Sequence, residues 1–399
     1  MAQTVAAPTQ RILSIDVLRG LTVAFMILVN DPGDGKVSYW PLEHADWNGW
    51  TPTDLVFPTF LFLVGCSIVF SLTSRIKRGV PKTTLALQIV KRTLLILLIN
   101  YGMRYLPPVR GYANAYHHMR WYGVLPRIAL CYFAGAMLFL ATRKVRNLAI
   151  VCATLLIGYY ILIRFVPIPG VGMPGRDVPF MDEYNNLAAY IDRGFVNWLQ
   201  THLQTGSLYN KVRDPEGWLS TIPAIGTVIL GMLTGTLIRS ELAATKVRNI
   251  LFGAGVAGIV SGYIWNVFFP INKNMWTSSF VLLAAGIACV LLSLTYWIFD
   301  VAQLQKTSKA TRVLSWPWLV FGSNAIVAYV TPSIYGKIQG FFPIQDGDRQ
   351  INALRWLYKY GFAHWGSTAN TSLAYSLCFV ALCFIPAFIL WRRGLFLRV

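Results

Sequence analysis

Leu55-Val56-Phe57-Pro58-Thr59-Phe60-Leu61-Phe62-Leu63-Val64-Gly65-Cys66-Ser67-Ile68-Val69-Phe70 is an uncharged, almost wholly apolar run. Taken from Asp54 to Ser74, it has about the 20 residues that a helix needs to cross a hydrocarbon layer of about 30 Å. Just before it stands His44-Ala45-Asp46-Trp47-Asn48-Gly49, so an ionisable ring flanked by Glu43, Asp46 and Asp54 lies at a membrane boundary. Imidazole exchanges protons near neutral pH, and such a group is costly to hold beside lipid without a role. His44 is therefore the leading catalytic candidate.

Nine further stretches are long and apolar enough to be read as spans. They are Ile12 to Asn30, Thr93 to Leu106 (short), Val124 to Thr142, Leu148 to Val166, Leu219 to Ile238, Ile250 to Phe269, Thr277 to Phe299, Ser315 to Tyr335 and Thr371 to Trp391. With 55% hydrophobic and only 13% charged residues, the chain is expected to be an all-α integral membrane protein of about ten transmembrane helices.

The net charge of +19 raises nucleic acid as a partner, and the placement of the charges argues against it. Arg75 to Lys82, Arg143 to Arg146, Arg239 to Arg248, Lys306 to Arg312 and Arg392 to Arg398 fall on alternate loops, opposed there only by Glu241 and Asp300. The positive-inside rule then puts both termini in the cytoplasm and His44 outside. The six cysteines lie in apolar spans without metal-ligand spacing, so packing is their expected role and no metal is expected. Residues 1–10 form a polar cytoplasmic leader without a positive n-region, and the first span is expected to be an uncleaved signal anchor. Residues 11–399 form one transmembrane domain. Its largest exterior loop, about 167–218, is long enough to be a lid or binding surface, with an interfacial helix over Met181 to Gln204.

Several side chains carry candidate chemistry. Asp54 is expected at the same depth as His44, where its carboxylate can fix the imidazole tautomer; equally, Thr51-Pro52-Thr53-Asp54 is a helix start with a capping-box acid. Asn30, Asn100 and Asn324 lie at or within spans, where they either bind substrate or join helices. Arg127 either receives a phosphate or snorkels to the interface. Asp16 and Arg19 are spaced to pair on one helix face. Trp40 and Trp47 beside His44 suggest either sugar stacking or an interfacial aromatic belt. His117 and His118 are read as solvated loop residues.

The run Arg11-Ile12-Leu13-Ser14-Ile15-Asp16-Val17-Leu18-Arg19-Gly20, with His44 to Gly49 and Asp54-Leu55-Val56-Phe57-Pro58, resembles the heparan-alpha-glucosaminide N-acetyltransferase family. So do Asp214-Pro215-Glu216-Gly217 leading into Thr221-Ile222-Pro223-Ala224, and Pro270-Ile271-Asn272-Lys273-Asn274-Met275-Trp276-Thr277-Ser278. The resemblance extends from Arg11 to the C-terminus. It implies a transmembrane acetyltransferase that moves acetyl from cytosolic acetyl-CoA to the amine of a glucosamine-type sugar outside. His44, Asp54 and Asn30 match the family's catalytic positions. Arg127, Asn100 and Asn324 are the expected contacts to acetyl-CoA, and Trp40, Trp47, Asn48, Glu216 and Asn274 those to the acceptor.

Relative to the family's lysosomal members, the chain is expected to lack a long luminal N-terminal extension and to have a longer Asn30 to His44 segment. A bacterial-type member in the cytoplasmic (inner) membrane is the resulting expectation. Its partners are the amino-sugar acceptor, acetyl-CoA and the bilayer, with a homodimer left open. His44 acts either as a general base in a ternary complex or as a nucleophile carrying the acetyl group. The alternatives are a sugar or ion transporter, an O-acyltransferase of cell-envelope glycans or a non-catalytic scaffold. A transporter favours broken helices and internal repeats, and neither stands out in the sequence.

Overall fold

The structure, a computed structural model, describes residues 12–105 and 112–397. The expected leader, Arg11, Leu106 and Arg398 lie outside the described residues. Fifteen α-helices and one short hairpin follow in chain order: α1 Leu13–Asn30, α2 Val56–Lys77, α3 Lys82–Tyr105, α4 Tyr112–His117, α5 Val124–Ala141, α6 Val145–Phe165, α7 Leu187–Leu203, α8 Trp218–Ile238, α9 Ala244–Asn266, α10 Ser278–Tyr296, α11 Leu304–Thr307, α12 Lys309–Ser323, α13 Ala325–Ile338, β1 Ile344–Asp346, β2 Arg349–Ile351, α14 Ala353–Leu357 and α15 Ala369–Arg392. Among the described residues, nine helical stretches are long and apolar enough to cross a bilayer. The third expected span is not short: as α3 it begins at Lys82, where polar residues continue the helix beyond the apolar run.

The ninth expected span, Ser315 to Tyr335, is not one straight helix. It breaks at Asn324, and the flanking helical segments meet at 79°. Asn324 leaves helical geometry (φ −127°, ψ 46°) within Gly322-Ser323-Asn324, a cluster of weak helix formers. Its amide Nδ2 donates to Leu395 O (3.2 Å) and its Oδ1 accepts from Leu397 N (3.0 Å), so the C-terminal tail satisfies the broken turn. Arg19, 3.2 Å from its expected partner Asp16, also donates to Gly322 O at the end of α12 (3.2 Å).

The bent pair still crosses from one face to the other. Asp300, just before it, accepts from Leu13 N (3.1 Å) and Ser14 N (3.0 Å) at the start of α1. At its far end Lys337 donates to Arg104 O near the end of α3 (3.4 Å), and beyond it Ser367 donates to Asp34 past the end of α1 (2.8 Å). Counting the pair as one span gives ten among the described residues.

The most buried spans are α2 and α8, with two-thirds of their apolar windows covered, against 22% for α9. Water cannot drive helices together in lipid, so close approach of small residues substitutes for it. A Cβ on Gly65 would lie 2.1 Å from Val228 O, and one on Gly231 2.0 Å from Phe62 O. Phe57, Leu61, Ile128, Val228, Trp276 and Phe280 fill the adjoining core. The loop at 167–218 carries α7 inside the stretch expected to be helical, capped by Asn186 Oδ1 accepting from Ala189 N (2.8 Å).

Candidate active site

The site begins with the backbone of residues 40–55. A 3-10 turn at Trp40–Leu42 and a second at Pro52–Leu55 are tied by Thr53 Oγ1 donating to Pro41 O (2.9 Å) and Thr51 Oγ1 to Glu43 O (2.5 Å). These bonds fix the short arc that carries His44. Asp54, whose side chain is 1% exposed, makes the capping contacts with one oxygen and meets His44 with the other. Oδ2 accepts from Thr51 N (3.0 Å) and Ala45 N (3.0 Å), completing the capping box and holding the arc. Oδ1 lies 2.7 Å from His44 Nδ1. An ionised carboxylate can only accept, so this contact suits the tautomer that carries the proton on Nδ1 and leaves Nε2 basic. The His44 side chain remains 48% exposed, so the ring is anchored through Nδ1 while about half of it stays accessible.

A third charged group completes the cluster, and it was absent from the expected set. Lys273 Nζ lies 3.2 Å from Asp54 Oδ1, 2.9 Å from His44 Nδ1 and 3.4 Å from His44 Nε2. The turn before α10 places it there. Gly49 N donates to Ile271 O (2.8 Å), and Asn272 Oδ1 accepts from Met275 N (2.9 Å) while its Nδ2 donates to Asn48 Oδ1 (3.2 Å). Gly49 sits at φ +96°, a conformation that suits glycine. Burial lowers the Lys273 ammonium below the usual lysine range, and Asp54 and Glu216 work against that by favouring the charge. The sequence signal for Lys273 was its place in the motif Pro270 to Ser278, where Asn274 had been singled out instead. Asn274 is partly buried beside it.

A second charged layer adjoins the first. Arg120 grips Asp214 with two bonds, Nε to Oδ2 (2.6 Å) and Nη2 to Oδ1 (2.5 Å), and also bonds Glu216. Arg127 does not snorkel. It is 1% exposed, its Nη2 bonds Gly217 O (3.0 Å) and Ser220 Oγ, and its guanidinium lies 5.1 Å from the Trp276 ring centre. Among the described residues its Nε and Nη1 are buried without a partner, as is Asn100 Nδ2. Buried donors of this kind are costly unless something supplies an acceptor.

Other expected residues stand apart from this cluster. Asn30 is exposed at the end of α1 and lines a separate cavity of about 740 Å3 with Asp31, Lys36, Arg355, Tyr358 and Tyr375. Burial raises the Asp31 carboxyl to about 6 in that cavity. Trp40 is 65% exposed. Trp47 is turned into structure: its Nε1 donates to Met181 O (2.7 Å) and Arg213 lies 4.5 Å from its ring centre, joining the His44 arc to the large loop. Asn324 is occupied by the C-terminal tail, as described above. His117, expected to be solvated, is exposed and also donates to Gln204 O (2.6 Å).

A family model described as heparan-alpha-glucosaminide N-acetyltransferase, catalytic, matches residues 11–270. The human (Homo sapiens) heparan-alpha-glucosaminide N-acetyltransferase is 30% identical over 98% of this chain and 60% of its own length. The mouse (Mus musculus) protein of the same name is 29% identical over 100% of this chain and 62% of its own length. The chain thus spans about 60% of the length of the curated relatives it matches.

Proposed function

We propose, given that the chain belongs to the heparan-alpha-glucosaminide N-acetyltransferase family, that it transfers acetyl from acetyl-CoA to the amine of a glucosamine-type sugar across a membrane. The observation that carries this reading is the His44–Asp54 pair, with Nδ1 anchored at 2.7 Å and the ring about half exposed. The bound donor supplies a thioester, whose carbonyl carbon an unprotonated amine can attack. His44 Nε2 takes the proton that the amine loses as the C–N bond forms and the C–S bond breaks. It then returns that proton to the departing sulfur and regenerates neutral imidazole. Asp54 holds the tautomer that makes this possible.

Arg127 and Asn100 fit an acceptor oxygen of the donor, because each presents buried N–H groups with no protein partner. Glu216, held by Arg120, is suited to orient the acceptor amine. The basic loops support an orientation with both termini in the cytoplasm and His44 outside; a bacterial inner membrane is part of the same proposal. They also support entry of the anionic CoA from the cytoplasmic face.

Purified protein incubated with acetyl-CoA and glucosamine should yield N-acetylglucosamine detectable by mass spectrometry. His44→Ala should lower kcat by about 100-fold or more with unchanged thermal stability. Loss of less than about tenfold would remove the ring from catalysis.

A further inference from the structure

Two carboxylates line the 740 Å3 cavity that Asn30 borders, and their surroundings differ. Asp34 is engaged at both oxygens, Oδ1 accepting from Lys36 N (3.0 Å) and Oδ2 from Ser367 Oγ (2.8 Å). Asp31 is not. Among the described residues its carboxylate has neither a hydrogen-bond nor an ion-pair partner, and no cation offsets the burial that raises it. The walls around it are built in advance. Ser372 Oγ donates to Asp34 O (3.2 Å) and accepts from Asp34 N (3.1 Å), while Ser376 Oγ lies 3.2 Å from Asp31 O, so residues 31–34 are pinned against α15. Gly33 lets Tyr358 pack close, since a Cβ there would lie 2.3 Å from the ring. Tyr358 meets Tyr375 edge-on with 5.5 Å between ring centres, and Tyr375 stacks on Phe379 at 6.2 Å. All three rings are buried and line the cavity. Lys36 and Arg355 also line it and are exposed.

We propose that this cavity binds a zwitterion in which an ammonium is joined by a short linker to a phosphate, the ammonium meeting Asp31 among the aromatic rings and the phosphate meeting Lys36 and Arg355. An unpartnered carboxylate beside aromatic faces selects an ammonium, which satisfies the acid and is attracted by the rings. Guanidinium and ammonium groups nearer solvent select the anion. A neutral sugar answers neither charge, and a phosphate without an amine leaves Asp31 unpaired. Ethanolamine phosphate carries both groups and is small enough for the space. That group exists free in solution and as a phospholipid headgroup. Trp356, Tyr360 and Trp365, from the same stretch as Arg355 and Tyr358, are exposed and belong to residue types that favour the headgroup zone, where the lipid form is presented. The inference concerns a site apart from the His44 cluster and stands whether or not the protein transfers acetyl.

The full-length protein in detergent is titrated with soluble O-phosphoethanolamine by calorimetry. Its lipid adducts are read by native mass spectrometry after exposure to equal amounts of phosphatidylethanolamine and phosphatidylglycerol, which carries the phosphate without the amine. Binding of the soluble compound assigns the site to a free ligand. A preference of about tenfold for phosphatidylethanolamine without such binding assigns it to the lipid headgroup. In either case Asp31→Asn and Arg355→Gln should each weaken binding by about tenfold. Arg355 is exposed, so its variant keeps the test decisive if the change at Asp31 disturbs folding. Binding within about twofold of the wild type in either folded variant would overturn the proposal. So would the absence of both soluble binding and lipid preference. Glucosamine competing as well as the zwitterion would also overturn it, by marking a site for the amine alone.

Discussion

At the scale of residues, one carboxylate does two jobs with its two oxygens. Oδ2 of Asp54 holds backbone N–H groups and Oδ1 holds the imidazole and the ammonium. Asp54→Asn separates these roles. If the amide oxygen keeps the backbone bonds, its NH2 must face His44 Nδ1, which inverts the ring tautomer and removes the basic Nε2. We expect kcat to fall by about 100-fold or more while the arc of residues 43–54 stays folded, read as a small change in melting midpoint beside a large loss of rate. A variant with more than about a tenth of wild-type activity would contradict the assignment. His44 and Asp54 were legible because an ionisable pair beside an apolar run is rare. Lys273 was not, since it lies 229 positions from His44 and the segments meet only in the fold, through contacts of Asn48 and Gly49 with Asn272 and Ile271. The inward turn of Arg127 was equally hidden, because arginines near span ends usually reach for water.

At the scale of elements, the large loop is fastened to the bundle through α7. Asp192 on α7 is 1% exposed, accepts from Trp218 N at the start of α8 (3.1 Å), and packs against Gly217 so tightly that a Cβ there would lie 1.9 Å from its Oδ2. Burial raises this carboxyl to about 7. The folded protein therefore binds a proton that the unfolded chain releases near pH 4. The stability that the neutral acid contributes is complete below that pH and is lost as pH rises through about 7. The full effect is at most about 4 kcal/mol. Between pH 5 and 8 the wild-type melting midpoint should fall more than that of Asp192→Asn, and parallel pH profiles for the two proteins would refute the fastening role.

The helix α7 was visible from sequence as an amphipathic stretch within a long loop. The break at Asn324 was not, because its geometry depends on bonds from Leu395 and Leu397, more than seventy positions away. A broken span is a feature of transporters, yet here the polar group at the break is occupied by the protein's own tail.

At the scale of the whole molecule, hydropathy and charge bias were enough to foresee ten crossings, because lipid leaves a helix few options. Contacts at the two faces agree with that alternation: Leu13 and Ser14 meet Asp300 on one face, and Asp34 meets Ser367 on the other. His44, Lys273, Glu216 and Arg120 all belong to loops of the second face, and the basic loops belong to the first. Transfer across the bilayer requires donor and acceptor to be used from its opposite sides. The most direct measurement is acetyl transfer in proteoliposomes loaded with acetyl-CoA, with glucosamine supplied only outside and the protein oriented basic face inward. We predict N-acetylglucosamine in the outer medium, lost in His44→Ala vesicles. Product formed only when both substrates share one compartment, or formed equally by the His44→Ala protein, would contradict the account.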